Sequence, residues 1–135
     1  MDYLSYDDVL QIAARVLDGN VEILWRNGLE SAVGRPRATW EGKDLHPSIH
    51  HKAAALMDSL CNNHCLKDGN KRLALAAVIV FYALNGYRLI FNNDEAYEFT
   101  QAVAENLRQL DSIARVLAVA VTFSTTNPYR LTSSR

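Results

Sequence analysis

The chain lacks a charge excess of either sign, with a net charge of −1 over 135 residues. A general surface for nucleic-acid polyanions needs a basic balance, so the composition argues against a direct nucleic-acid partner. With 49% of the residues apolar, extended disorder is excluded. Long hydrophobic runs are missing. The longest, Leu73 to Leu84, is well short of the ~20 residues a membrane-spanning helix needs, and Arg72 sits at its mouth. The start, Met1-Asp2-Tyr3, has no charged-then-apolar leader, so no export signal is visible. A soluble, cytoplasmic protein without a membrane partner is expected. Cysteine is scarce: Cys61 and Cys65 lie four apart, share a helix face and read as small buried thiols. With His50, His51 and His64 they could in principle hold zinc, but no paired Cys-x-x-Cys spacing supports that. No Walker A sequence, internal repeat or second domain occurs. One domain over 1–123 is expected, followed by a polar, mobile tail over 124–135 that contains Pro128.

What is present concentrates in His64-Cys65-Leu66-Lys67-Asp68-Gly69-Asn70-Lys71-Arg72 and the apolar run after it. That run holds no Gly or Pro and reads as a helix, apolar on every side and so enclosed by other elements. A helix start offers unpaired N–H groups and partial positive charge, which suits a phosphate. Gly69 lets the backbone turn sharply and approach a ligand. Lys71 and Arg72 occupy the first turn, where the helix dipole disfavours cations unless an anion joins them. Each residue also has a plain structural role open to it. His64 can cap a helix, Asp68 form a turn, Asn70 serve as N-cap, and Lys71 with Arg72 form a solvated basic pair.

The pattern His64-x-x-x-Asp68-Gly69-Asn70-Lys71-Arg72 resembles the signature of the Fic/Doc family, and more closely its Doc (death-on-curing) branch of toxin–antitoxin toxins. Fic enzymes carry a second glycine where this chain has Lys71; Doc-type members carry the lysine. The likeness continues in Gly28-Leu29-Glu30-Ser31-Ala32-Val33, Arg35-Pro36, Lys52-Ala53-Ala54-Ala55-Leu56 and Leu84-Asn85-Gly86-Tyr87, covering most of residues 3–120. Leu66 stands where the family usually has Phe. The resemblance implies an all-α, compact bundle around a buried central helix (70–84) with a short loop or hairpin flap. It implies His64 as general base and Asp68 as a Mg²⁺ ligand or orienting group. Gly69, Asn70, Lys71 and Arg72 would then bind the phosphates of ATP, with Arg72 also stabilising the transferred group. In Doc-type members the lysine goes with a reversed nucleotide and transfer of the γ-phosphate to a threonine of elongation factor Tu. AMP transfer of the Fic type, and an inactive partner-binding domain, are the alternatives. A Phd-type antitoxin, folding as a helix in a groove of the toxin, is the implied partner.

In chain order, Ser5-Tyr6-Asp7-Asp8 looks like a capped helix start that Asp18-Gly19-Asn20 ends. A short helix is expected from Leu29 to Gly34. Residues 36–48 should form a loop or hairpin turning at Glu41-Gly42-Lys43. In the family this segment corresponds to a flap beside the active site, with Trp40 either in its platform or lidding the core. A helix over 49–63 delivers His64, and Asn85-Gly86 caps the central helix. A strand at 87–91, a helix over roughly 94–107 and a last helix, capped by Asp111 and running through Val121, complete the chain. Antitoxin anchors are sought at Val9, Ile12 and Val16 and in Val21, Ile23, Leu24 and Trp25. Taken alone, Trp25 reads as a core tryptophan ahead of a binding residue.

Overall fold

In the computed structural model, which describes residues 1–124, local sequence signals account for most helix ends. Ser5 caps α1 (Tyr6–Val16) through a reciprocal pair with Asp8, and Asp18 and Gly19 in left-handed conformations end it. α2 runs Arg26–Gly34, starting three residues before the expected Leu29. Proline then turns the chain into a 3-10 segment, Arg35–Arg37. β1 (Thr39–Trp40) and β2 (Lys43–Asp44) form a hairpin whose two turn residues, Glu41 and Gly42, both have positive φ.

Ser48 caps α3 (Ile49–Asn62), and Gly69 precedes α4 (Asn70–Leu84). Gly86, at φ 87°, follows α4 as the Asn85-Gly86 pair predicts. β3 (Tyr87–Leu89) pairs antiparallel with β4 (Val121–Phe123), placing Tyr87 opposite Phe123. Between them lie α5 (Asn93–Ala104), capped by Asn92 with Glu95, and α6 (Leu110–Ala120). Asp111 does not cap α6. The cap position is Gln109, and the Asp111 carboxylate lies 3.1 Å from His51 Nε2, tying the starts of α3 and α6 together. The fold is all-α with two small two-stranded antiparallel sheets, of which only β1–β2 is a hairpin. The expected tail beyond residue 124 lies outside the described residues.

The most enclosed helix is α3, not α4. Its small Ala53, Ala54 and Ala55 let neighbours approach closely, and it packs against α2, α4, α5 and α6. α4 buries Leu73, Ala74, Ala77, Val78, Phe81 and Tyr82 but leaves Ile79 42% exposed. The all-round apolar pattern of α4 therefore serves two surfaces: a core face, and an open stripe facing α1. Along that stripe a groove of about 560 Å³ is lined by Leu4, Ile12 and Val16 with Ala76, Ile79, Val80 and Leu84. Asp8, Gln11 and Arg15 form its polar rim. Val9, fully buried, faces the core and not the groove.

Candidate active site

Asn63 ends α3, and His64 follows with φ 53°, a strained conformation for a residue with a Cβ. Backbone strain of this kind persists only where surroundings over-determine it, and here they do. Cys65 and Leu66, which follow the change of direction, are both buried. The Leu66 backbone is held at both ends by one side chain, its N–H donating to Asn70 Oδ1 (3.0 Å) and its carbonyl accepting from Asn70 Nδ2 (2.9 Å). The leucine thus fills the family's Phe position as a fully seated apolar anchor. A second strap comes from the segment between α1 and α2. Leu24 and Trp25 donate their N–H groups to the Cys65 carbonyl (2.7 and 3.2 Å), and Lys67 donates to the Glu22 carbonyl (2.9 Å). Ile23 and Leu66 form an antiparallel bridge. The loop is therefore the inner strand of a short ribbon whose outer strand, residues 22–25, is exposed.

Gly69 adopts φ 90° and begins α4. Its conformation alone favours glycine, and packing adds to this: a Cβ there would lie 2.5 Å from Leu17 Cδ2. Glycine suits the position on two counts, the left-handed φ and the approach of the Leu17 side chain at the end of α1. The first intrahelical bond runs from Leu73 N–H to the Gly69 carbonyl, so the N–H groups of Asn70, Lys71 and Arg72 have no helix partner. Asp68 Oδ1 accepts the Gly69 N–H at 2.9 Å.

These residues surround one cleft of about 390 Å³, lined by His64, Lys67, Asp68, Gly69, Asn70, Lys71 and Arg72, with Cys61 in its wall and Gln101, Ala104 and Glu105 opposite. All six residues singled out from the sequence, His64 and Asp68 to Arg72, meet there. His64, Asp68, Lys71 and Arg72 are exposed, and among the described residues the His64 ring and Arg72 guanidinium have no hydrogen-bond or ion-pair partner. Asn70 is more constrained than a free donor: its oxygen and one N–H are committed to Leu66, which leaves the second amide proton and the backbone N–H for a ligand. It is not the N-cap; Gly69 is.

Burial, then the nearby Asp58 charge, pushes the Cys61 thiol up to about 12, so it stays protonated and inert at neutral pH. Both cysteines are free and buried. Among the described residues no three His, Cys, Asp or Glu side chains gather as a metal site.

The sequence missed Gln101 and Glu105. Gln101 lies on α5 and Glu105 caps its end, some thirty residues from the motif, and polar residues on an amphipathic helix carry no signature of what they will face.

The expected flap over 36–48 is not beside the cleft. α2 runs antiparallel to α3: Asn63 Nδ2 meets the Gly28 carbonyl (3.1 Å), Arg35 Nη1 meets Asp58 Oδ2 (2.8 Å), and Lys52 Nζ meets the Pro36 carbonyl (3.1 Å) and Asp44 Oδ2 (3.2 Å). The hairpin is thereby carried to the Lys52 end of α3, which a rise of 1.5 Å per residue puts about 15 Å from Asn62. Trp40, 70% exposed, does not lid the core. The element that does flank the cleft is the 22–25 strand, where Ile23, Leu24 and Trp25 expose apolar surface. Trp25, 52% exposed, is not a core residue; its ring rests on Gly28, where any Cβ would collide with it.

Residues 3–82 match the Fic/DOC family. The chain is also similar to toxin Doc of Mycolicibacterium smegmatis (strain ATCC 700084 / mc(2)155), at 42% identity over 119 residues, 87% of this chain and 92% of that protein.

Proposed function

The chain belongs to the Fic/DOC family, and from that premise we propose that it is a Doc-like toxin kinase that moves the γ-phosphate of ATP to a hydroxyl of a target protein. The observation that carries the reading is the cleft at the start of α4, where one histidine, two carboxylates (Asp68 and Glu105), three open N–H groups and three cations (Lys67, Lys71 and Arg72) converge. That set can do one kind of work: hold a polyphosphate at a helix start and take a proton from an attacking hydroxyl.

His64 takes the proton as the target oxygen bonds to the γ-phosphorus, and the bond from that phosphorus to the β–γ bridging oxygen breaks, releasing ADP. The open N–H groups of Asn70, Lys71 and Arg72, with the Lys71 and Arg72 side chains, bind phosphate oxygens. Asn70 mainly fixes the loop that presents them. Mg²⁺ commonly needs only one or two carboxylates, with phosphates and water completing its shell, and Asp68 retains a free oxygen for that role. When bound, the ion neutralises phosphate charge. Lys71 favours phosphate transfer over AMP transfer, because it fills space that a second glycine leaves open in Fic enzymes.

A threonine of elongation factor Tu is the target the family likeness suggests. The exposed edge of residues 22–25, next to His64, suits an extended target segment better than the distant hairpin does, since it offers main-chain groups and apolar side chains together. For a Phd-type antitoxin helix, the groove between α1 and α4 offers the apolar trough that helix-in-groove binding requires, with Ile12, Val16, Ile79 and Val80 as anchors.

The test is the mass of elongation factor Tu after incubation with the protein, ATP and Mg²⁺. A gain of one phosphate is the expected result. A gain of AMP instead assigns the chain to the Fic-type reaction, and no gain in any candidate target removes the catalytic reading.

A further inference from the structure

We infer that Gln101 is a positioning residue that aims the Lys71 ammonium into the phosphate cleft, a step that rests on the reading of Lys71 as a phosphate ligand. Lys71 lies in the first turn of α4, where the helix dipole repels its charge, beside Arg72 and near Lys67. A four-carbon side chain in that setting would wander into solvent. It does not: Lys71 Nζ donates to Gln101 Oε1 at 2.9 Å, across the cleft on α5. Gln101 in turn donates from Nε2 to Glu105 Oε2 at 2.6 Å, four residues on and just past the end of α5.

The two contacts fix the amide orientation. Reversing it would set an N–H against an ammonium and an oxygen against a carboxylate. Glu105 also polarises the amide, making Oε1 a better acceptor for the cation.

The intervening amide matters for function. A carboxylate in direct contact with Lys71 would compete with an incoming phosphate for its charge. A neutral amide holds the ammonium in place through one of its three protons and leaves two for phosphate oxygens. Gln101 thus lowers the ordering cost of binding without neutralising the group that binds. Because Gln101 is half-buried and only its outer end makes these contacts, the role is separable from folding.

The experiment is a double-substitution cycle with Gln101→Ala, Lys71→Met and the pair, reading ATP affinity by calorimetry, KM and kcat for transfer, and thermal unfolding. Gln101→Ala should weaken ATP binding about tenfold, the scale of one lost hydrogen bond to a charged group. The loss should appear in KM for ATP with kcat changed less than about twofold, and in the Lys71→Met background it should vanish. Gln101→Glu should bind ATP more weakly than Gln101→Ala, since it sets a carboxylate on the ammonium. Equal losses in both backgrounds, or wild-type ATP affinity in either Gln101 variant, would overturn the assignment. A wild-type protein that transfers AMP overturns the kinase reading instead and leaves the Gln101–Lys71 coupling legible in ATP affinity. If the wild type binds no ATP, both fail.

Discussion

At the scale of single residues, the site combines groups spent on the protein itself, Asn70 on the Leu66 backbone and Lys71 on Gln101, with groups left open. His64 is exposed, strained at φ 53° and free of side-chain partners among the described residues. Replacing it removes nothing from the core, so His64→Ala should keep its melting temperature within a few degrees while growth arrest on expression disappears. A variant that still arrests growth at equal expression would exclude His64 as the base. Arg72 is also unpaired among the described residues. Arg72→Ala should lower the transfer rate by roughly 10²–10³-fold, the typical effect of losing one pre-placed donor to a developing anionic charge. An unchanged rate with ATP would take Arg72 out of the clamp. Both residues were legible in the sequence because the nine-residue motif is contiguous. Gln101 and Glu105 were not, because they reach the cleft from α5 and only tertiary packing makes them neighbours of Lys71.

The controlling contact between elements is α1 against the catalytic loop. Gly69→Ala faces two penalties, about 1 kcal/mol for a non-glycine residue in a left-handed conformation and the overlap of its Cβ with Leu17. The substitution should lower stability and displace the start of α4, reducing transfer. The steric half can be isolated. Adding Leu17→Ala to Gly69→Ala should restore part of the lost transfer rate, whereas Leu17→Ala alone should cost roughly 2–5 kcal/mol of stability as a buried truncation. No recovery of activity in the double variant would mean that the backbone conformation, not the packing of α1, is what demands glycine. The sequence pointed to glycine for its turn, and correctly, but the α1 contact spans more than fifty residues and has no local trace. The flap shows the same limit in reverse. Residues 36–48 do form a hairpin turning at Glu41-Gly42, yet the antiparallel course of α2 carries it away from His64 and leaves residues 22–25 at the cleft.

For the molecule as a whole, two properties follow from how the core is closed. His46 and His50 are both held below the ordinary histidine pKa of 6.5. Burial is the main cause for each, reinforced for His46 by the charges of Arg35 and Lys52 and then by His51, and for His50 by His51. Their depressed folded-state values mean that the unfolded chain binds protons first. The stability they contribute is complete above roughly pH 6.5 and is lost as pH falls through that value toward the folded pKa values. Urea unfolding should give a lower free energy at pH 5.5 than at pH 7.5, and His46→Leu should flatten the difference. A pH-independent midpoint over that interval would contradict it. The second property is the open stripe of α4. Ile79→Glu places a charge in the α1–α4 groove at a half-exposed position remote from the catalytic loop. It should leave growth arrest intact but abolish rescue by a co-expressed antitoxin. Retained rescue would place the antitoxin elsewhere.

The sequence alone determined the helical class, the bounds of α3 and α4 to within a residue, and the six motif residues of the cleft. Those features depend on side-chain periodicity, on caps and on a contiguous loop, all of which are local. Tertiary structure decided which apolar face of α4 stays open, that Leu17 crowds Gly69, which strand borders His64, and that α5 supplies the far wall of the cleft. Each of these depends on how distant helices approach one another, and that is set by the packing of Ala53–Ala55 and Leu17, not by the pattern of any one segment.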